Sequence, residues 1–247
     1  MLGRDDLMRF HRDGFLGPLP LTVNRFDTSS LANIRRIVAC GSAVTGHGTY
    51  ARHLDSRPVF KLCTDPAVLE AVRLVLGHNL LLWNSGFWIK QGEAKPTPWH
   101  QDVHYWPVPL NVTAWIALTD TDEETGCLMV IPGSHGVLLP LVAAEPGALF
   151  EFVADPSAVP DGDGCALPMA AGQFVLLHDR VLHRSAGADE PRQAQRWGLA
   201  ARFTASFVHV PVVFPLFPGH HCILVSGEDH YAINELGPPP AETEWHA

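Results

Sequence analysis

The sequence predicts a mainly β protein: a jelly roll or related antiparallel barrel with helices flanking it at the amino-terminal side. Three observations carry this expectation. Glycine and proline number 21 each in 247 residues, a density of backbone breakers that suits many short strands joined by turns. The segment "NVTAWIALTD" (111–120) alternates with the period of two that a strand requires. Clear helical patterns are confined to the first third of the chain.

The elements follow in order. Residues 4–13 (RDDLMRFHRD) place Leu7 and Phe10 on a weak apolar stripe that continues to Phe15, and Gly14 ends the helix. Residues 65–76 form the clearest helix. Asp65 serves as N-cap, Pro66 suits the first helical position, Val68, Leu69, Val72, Val75 and Leu76 share a face, and Gly77 closes it. Residues 79–90 are strand-like and aromatic-rich. In 111–120, Val112, Ala114, Ile116 and Leu118 point one way while Thr113, Trp115, Ala117 and Thr119 point the other. "CLMVIPGSH" is a buried strand ending in a Pro-Gly turn. Residues 134–171 lose all pattern and are rich in Pro, Gly and Asp, so a lid or insertion is expected there. Two further strands are expected over 172–185 and 196–210. There is no internal repeat and no linker, so residues 1–247 are expected to form one domain.

Hydrophobic residues make up 47% and charged residues 17%, enough for a sizeable core. A formal charge of −9 (17 basic against 26 acidic residues), with no basic cluster, argues against nucleic-acid or anionic-membrane partners. Five cysteines, an odd number without a CxxC pair, point to a reducing compartment. "MLGRDDLMRFHRDGF" contains no apolar run of the signal-peptide type, and no stretch is long enough to span a bilayer. The expectation is a soluble, cytoplasmic protein.

Fourteen histidines stand out. Within "PTPWHQDVHYW" (96–106), His100 and Asp102 are two apart, so on a strand both project to one face while Gln101 points away. Two imidazoles and one carboxylate on one face of an octahedral ion make the triad of non-haem Fe(II) oxygenases. A third ligand is expected on a neighbouring strand, and both His178 and His183 qualify. His104 could replace a ligand only in a helix, and Pro107 and Pro109 argue for extended chain. His135 in PGSH, the pair His220-His221 and the acidic run 120–124 read as turns or exposed loop.

Four blocks then occur in order: PWHQD followed by YWP, VTAWIAL-D, E-x-GCL-x-VIPGSH, and G-x-x-VLLH-x-R-x-LH-x-S. Together with "FHRDGFL" near the start, they closely resemble the phytanoyl-CoA dioxygenase family of Fe(II)/2-oxoglutarate-dependent oxygenases. The resemblance covers nearly the whole chain. It implies a double-stranded β-helix core and Fe(II), 2-oxoglutarate and dioxygen as cofactor and co-substrates. It also implies His100, Asp102 and His183 as metal ligands at the catalytic centre. The family's arginine for the far carboxylate of 2-oxoglutarate falls on Arg196, seven residues before Phe203, with Arg192 as competitor because the preceding loop is longer than usual. Ser185, Trp115 and Lys90 correspond to further residues around the co-substrate.

An arginine is required there because a planar carboxylate is matched by a guanidinium fork and not by a point charge. The carboxylate at Asp102 disfavours halogenation, since related halogenases carry a small residue there. His104, Tyr105, Trp106 and Trp88 are expected to wall a substrate pocket. The acidic chain offers little to hold a CoA phosphate, so the expected substrate is a small molecule, in the tailoring of a secondary metabolite. Two other readings remain open: a CoA-thioester hydroxylase, and a catalytically silent β-helix that only binds a ligand.

Overall fold

In a computed structural model of the chain, residues 1–22, 28–42, 46–91, 95–106, 108–146, 148–162, 164–185, 195–211 and 219–241 are described. The elements, in chain order, begin with α1 (Arg4–Asp13), β1 (Phe15–Pro20), α2 (Thr28–Cys40), α3 (Arg57–Cys63), α4 (Pro66–Leu76) and β2 (Leu80–Lys90). Then come β3 (Thr97–His100), β4 (Val112–Ala117), β5 (Leu128–Val130), β6 (Leu141–Ala143), β7 (Phe152–Ala154) and β8 (Cys165–Leu167). The last are β9 (Gln173–His178), β10 (His183–Ser185), β11 (Arg196–Ala205) and β12 (Ile223–Ser226).

The strands form two facing sheets of a jelly roll. The larger has the order β1-β9-β4-β11-β2-β12 and the smaller β3-β10-β5-β8, with antiparallel pairing throughout. Strand β4 shows why the alternation mattered. Its Val112, Ala114 and Ile116, with Leu118, pack outward with Val68, Leu69 and Val72 of α4, whereas Trp115 and Ala117 face the barrel interior with Leu128, Val130, Val175 and Ala200. Helix α4 is capped as its sequence requires. The Asp65 carboxylate accepts from the Ala67 amide at 2.9 Å, and Gly77 takes φ +87°.

Several expectations need correction. The sequence predicts no element between residues 15 and 64, yet β1, α2 and α3 lie there. Helix α3 is only seven residues long with no side-chain cap, and is held by burying Val59 and Cys63, a tertiary cause that leaves little periodic trace. The 172–185 stretch is two strands, not one. The backbone turns after His178, with Val181 N–H donating to the His178 carbonyl at 3.0 Å, and so passes from the larger sheet to the smaller. Strand β11 ends at Ala205, not residue 210, where Val208 N–H closes a turn on the Ala205 carbonyl. Residues 134–171 are not patternless in space: β6 pairs with β7, and β8 joins β5. Three-residue strands are too short to leave an alternation in the sequence.

All five cysteines are free. Among the described residues, no helix is long and apolar enough to cross a membrane.

Candidate functional site: a buried His-Asp-His cluster

The two sheets converge on a small cavity whose lining includes Trp88, Thr113, Trp115, Ser185, Arg196 and Arg202 around His100, Asp102 and His183. Register sets the cluster. His183 at the start of β10 lies directly opposite His100 at the end of β3. His178, left behind on β9, accepts at Nδ1 from the Arg180 amide at 3.1 Å, away from the cluster that His183 joins. Asp102 does not share a strand with His100. It opens a 3-10 turn over Asp102–His104, whose closing bonds run from the Tyr105 and Trp106 amides to the Asp102 carbonyl. The turn returns the carboxylate to the imidazoles, a result like that of the expected i, i+2 geometry by a different route.

One ligand atom from each of the three residues lies within 4.8 Å of the others, and all three residues are buried. Asp102 Oδ1 stands 3.8 Å from His100 Nε2 and 3.9 Å from His183 Nε2. Each imidazole is oriented by its other nitrogen. His100 Nδ1–H donates to the Pro98 carbonyl and His183 Nδ1–H to the Val181 carbonyl, both at 2.9 Å. A carbonyl can only accept, so Nδ1 carries a proton and Nε2 is the atom turned to the cluster. Burial, with His183 adding to it, pushes His100 down to about 3, so that ring is neutral at ordinary pH. Burial pushes the Asp102 carboxyl up, yet Arg202, the two imidazoles and the Thr113 hydroxyl together hold it below the usual carboxylate range. Two imidazole nitrogens and one carboxylate oxygen facing one point suit a divalent ion of intermediate softness, so the donor set fits iron.

Arg196 lies buried in the same cavity. Its guanidinium lies 5.2 Å from the Trp115 ring centroid and donates through Nη1 to the Gly126 carbonyl at 2.7 Å. Burial lowers it to about 10, still a cation at neutral pH. Trp115 fits because position 198 has no side chain: a Cβ on Gly198 would stand 2.1 Å from the indole Cζ2. Ser185 lines the cavity, and its carbonyl accepts from Lys90 Nζ at 3.4 Å. Lys90 also reaches the Lys95 carbonyl at 3.2 Å, and burial, then Arg196, lowers it to about 7. It faces the adjoining groove with Tyr50 and Lys95 rather than the metal cluster itself. Arg192 lies outside the described residues.

The substrate-wall residues divide. Trp88 lines the cavity. His104, Tyr105 and Trp106, on and just after the 3-10 turn, are not among the lining residues, although the Tyr105 ring lies 5.8 Å from that of His100. His104 Nε2 pairs with the Leu139 carbonyl at 3.0 Å, and Trp106 packs edge-on to Trp83. Tyr105 donates its hydroxyl to the Phe152 carbonyl and lies 4.7 Å, ring to ring, from Phe150.

Four residues of the site escaped the sequence reading as functional positions. Thr113 and Arg202 contact Asp102 Oδ2 at 3.1 and 3.5 Å. Their parity with Trp115 and Arg196 on alternating strands was the available signal. Gln101 is fully buried and ties the cluster to its surroundings through the Val137 carbonyl, the Arg180 carbonyl and the Leu139 amide. Phe150, from the 134–171 segment, lies 4.9 Å from the His100 ring and 6.2 Å from Trp88, and nothing local marked it.

A profile of the phytanoyl-CoA dioxygenase family matches residues 39–194. The chain belongs to that family. Peroxisomal phytanoyl-CoA dioxygenase of Bos taurus is 32% identical over 141 residues, covering 53% of this chain and 42% of the relative. The chain spans about half the length of the curated relatives it matches. Among solved structures, CytC3 with Fe(II) and alpha-ketoglutarate superposes with a TM-score of 0.74 at 23% identity, covering 96% of this chain and 93% of that one. The epimerase SnoN in complex with Fe3+, alpha-ketoglutarate and nogalamycin RO gives a TM-score of 0.68 at 22% identity, covering 96% and 94%. These likenesses establish the family's jelly-roll fold.

Proposed function

We propose that the chain is an Fe(II)- and 2-oxoglutarate-dependent oxygenase that removes hydrogen from a C–H bond of a small molecule, with residues 1–247 acting as one domain. The observation that carries this reading is the convergence of His100 Nε2, His183 Nε2 and Asp102 Oδ1 in a cavity that also holds the buried Arg196 guanidinium. Iron, with 2-oxoglutarate and dioxygen, supplies an oxidant able to break an unactivated C–H bond, and the keto-acid leaves as succinate and carbon dioxide. The protein's part is to bind, orient and exclude water.

His100, Asp102 and His183 would hold the ion. Arg196, braced on Trp115, would take the far carboxylate of the keto-acid through a two-pronged guanidinium contact, and the Ser185 hydroxyl would donate to a remaining lone pair. Lys90 at the groove side adds positive potential near that carboxylate. Phe150, whose ring lies 4.9 Å from that of His100 and 6.2 Å from that of Trp88, would let the 134–171 segment serve as a lid over the reacting C–H bond. The small cavity beside Trp88 and the small molecule in the SnoN complex support tailoring of a secondary metabolite over a CoA thioester. The product of hydrogen removal would be an alcohol, or a new ring or double bond.

The test is succinate formation by the purified protein with Fe(II), 2-oxoglutarate and oxygen, with and without candidate substrates. Oxygen-dependent succinate that disappears in Asp102→Ala is expected. No succinate under any condition, together with no metal binding, would leave the silent binding protein as the correct reading.

A further inference from the structure

We propose that Arg202 and Thr113 act as an outer brace that decides which oxygen of Asp102 faces the metal ion. The inference rests on the metal-site reading above and concerns positioning, not contact with the ion.

A carboxylate has two equivalent oxygens and about four lone-pair directions, so an unconstrained aspartate can rotate or chelate through both. Here the two oxygens have different surroundings. Oδ1 faces both imidazole nitrogens, at 3.8 and 3.9 Å. Oδ2 accepts from the Thr113 hydroxyl at 3.1 Å and lies 3.5 Å from Arg202 Nη2. The two brace residues are themselves cross-strand partners, Arg202 on β11 directly opposite Thr113 on β4. Their spacing is therefore set by the main hydrogen-bond ladder of the larger sheet, while Asp102 arrives from the loop after the smaller sheet. A ligand carried on a turn is referenced to a rigid element.

Arg202 is an expensive residue to place there. It is 2% exposed, and its Nε and Nη1 have no hydrogen-bond partner. The Trp106 ring covers the guanidinium at 4.7 Å. A buried cation needs a counter-charge, and the acid paired with it is Asp102. Elsewhere along the inward face of β11, Gly198 and Ala200 are small. A buried pair of this kind adds little net stability over an apolar substitute. What it adds is a fixed orientation.

The brace predicts the opposite of a pure charge effect. Removing a cation near Asp102 should, by electrostatics alone, strengthen the carboxylate's pull on a divalent ion. Loss of a brace should weaken it, because the free carboxylate must then be ordered by the metal.

The experiment titrates the metal-free protein with Co(II), reading affinity by calorimetry and ligand geometry by the visible d–d absorption, and needs no turnover. For Arg202→Met, expected are about 10- to 100-fold weaker binding and an altered d–d spectrum. Millimolar guanidinium ion should restore part of the affinity, which a merely structural defect would not allow. Thr113→Val, which keeps shape and charge, should weaken binding by a smaller factor, and it carries the test if Arg202→Met does not fold. Wild-type-like affinity and spectrum in both folded variants, or tighter binding in Arg202→Met, would overturn the brace while leaving the metal site intact. A wild-type protein that binds no Co(II) would overturn the metal-site reading and the brace with it.

Discussion

Adding one methyl group at position 198 tests how the cavity is built. Gly198 lies on β11 opposite Ala117 of β4 and Trp88 of β2, with no φ in the left-handed region, so it is present for space. In Gly198→Ala the new Cβ would lie 2.1 Å from Trp115 Cζ2, against an ordinary contact of 3.4 Å or more. The indole must therefore retreat by about 1.3 Å (3.4 − 2.1) or the strand must bow. Overpacking of this kind costs about 1–3 kcal/mol. At about 2–4 °C per kcal/mol for a chain of this size, the melting temperature should fall by roughly 2–12 °C. A displaced indole also leaves the Arg196 guanidinium without its face. A cation–π contact is worth about 0.5–2 kcal/mol, so the KM for 2-oxoglutarate should rise roughly 2- to 30-fold. The assay is a thermal melt paired with succinate formation against 2-oxoglutarate concentration. A variant that melts lower but keeps its KM would refute the claim that Trp115 supports the co-substrate arginine. One unchanged in both would refute the packing argument itself.

Other perturbations test separate parts of the site. Asp102→Ala should abolish Fe(II) binding and succinate formation, measured by metal titration and turnover. Arg196→Lys exchanges a fork for a point charge, a loss of about 1.5–3 kcal/mol, and should raise the 2-oxoglutarate KM by roughly 10- to 150-fold; the same rise in Arg192→Lys instead would reassign the role. Gln101→Leu removes the partner of two part-buried carbonyls and a part-buried amide, at about 0.5–1.5 kcal/mol per lost bond, so chemical denaturation should show a loss of roughly 1.5–4.5 kcal/mol. His53, fully buried beside Ser85 Oγ at 2.8 Å, is pushed by burial from 6.5 to about 3. The unfolded chain binds its proton more readily, so its contribution is present above pH 6.5 and falls toward pH 3 by about 1.4 kcal/mol per unit. The urea midpoint of the metal-free protein should drop between pH 7 and pH 5, and His53→Gln should flatten part of that slope.

The sequence by itself determined whatever depends on neighbours along the chain. The alternation of 112–118 assigned an outward and an inward face to β4, and the Asp65-Pro66 start and Gly77 stop bounded α4 closely. His100 and Asp102 could be paired because they are two residues apart, and the joined motifs supplied the family and its jelly roll. Tertiary structure decided what depends on register between distant strands. Strand parity left His178 and His183 both open and only the resemblance pointed to His183; what brings it to the cluster is a four-residue reversal that carries the chain from one sheet to the other. The pairing of Arg202 with Thr113 across a ladder, the approach of Phe150 to His100, and the contacts that engage His104 with Leu139 and Trp106 with Trp83 were silent in the linear order. The physical reason is common to all of them. Local periodicity records which face of an element is buried, whereas a site is made where separate elements meet, and that meeting is set by packing and hydrogen-bond register that no short stretch contains.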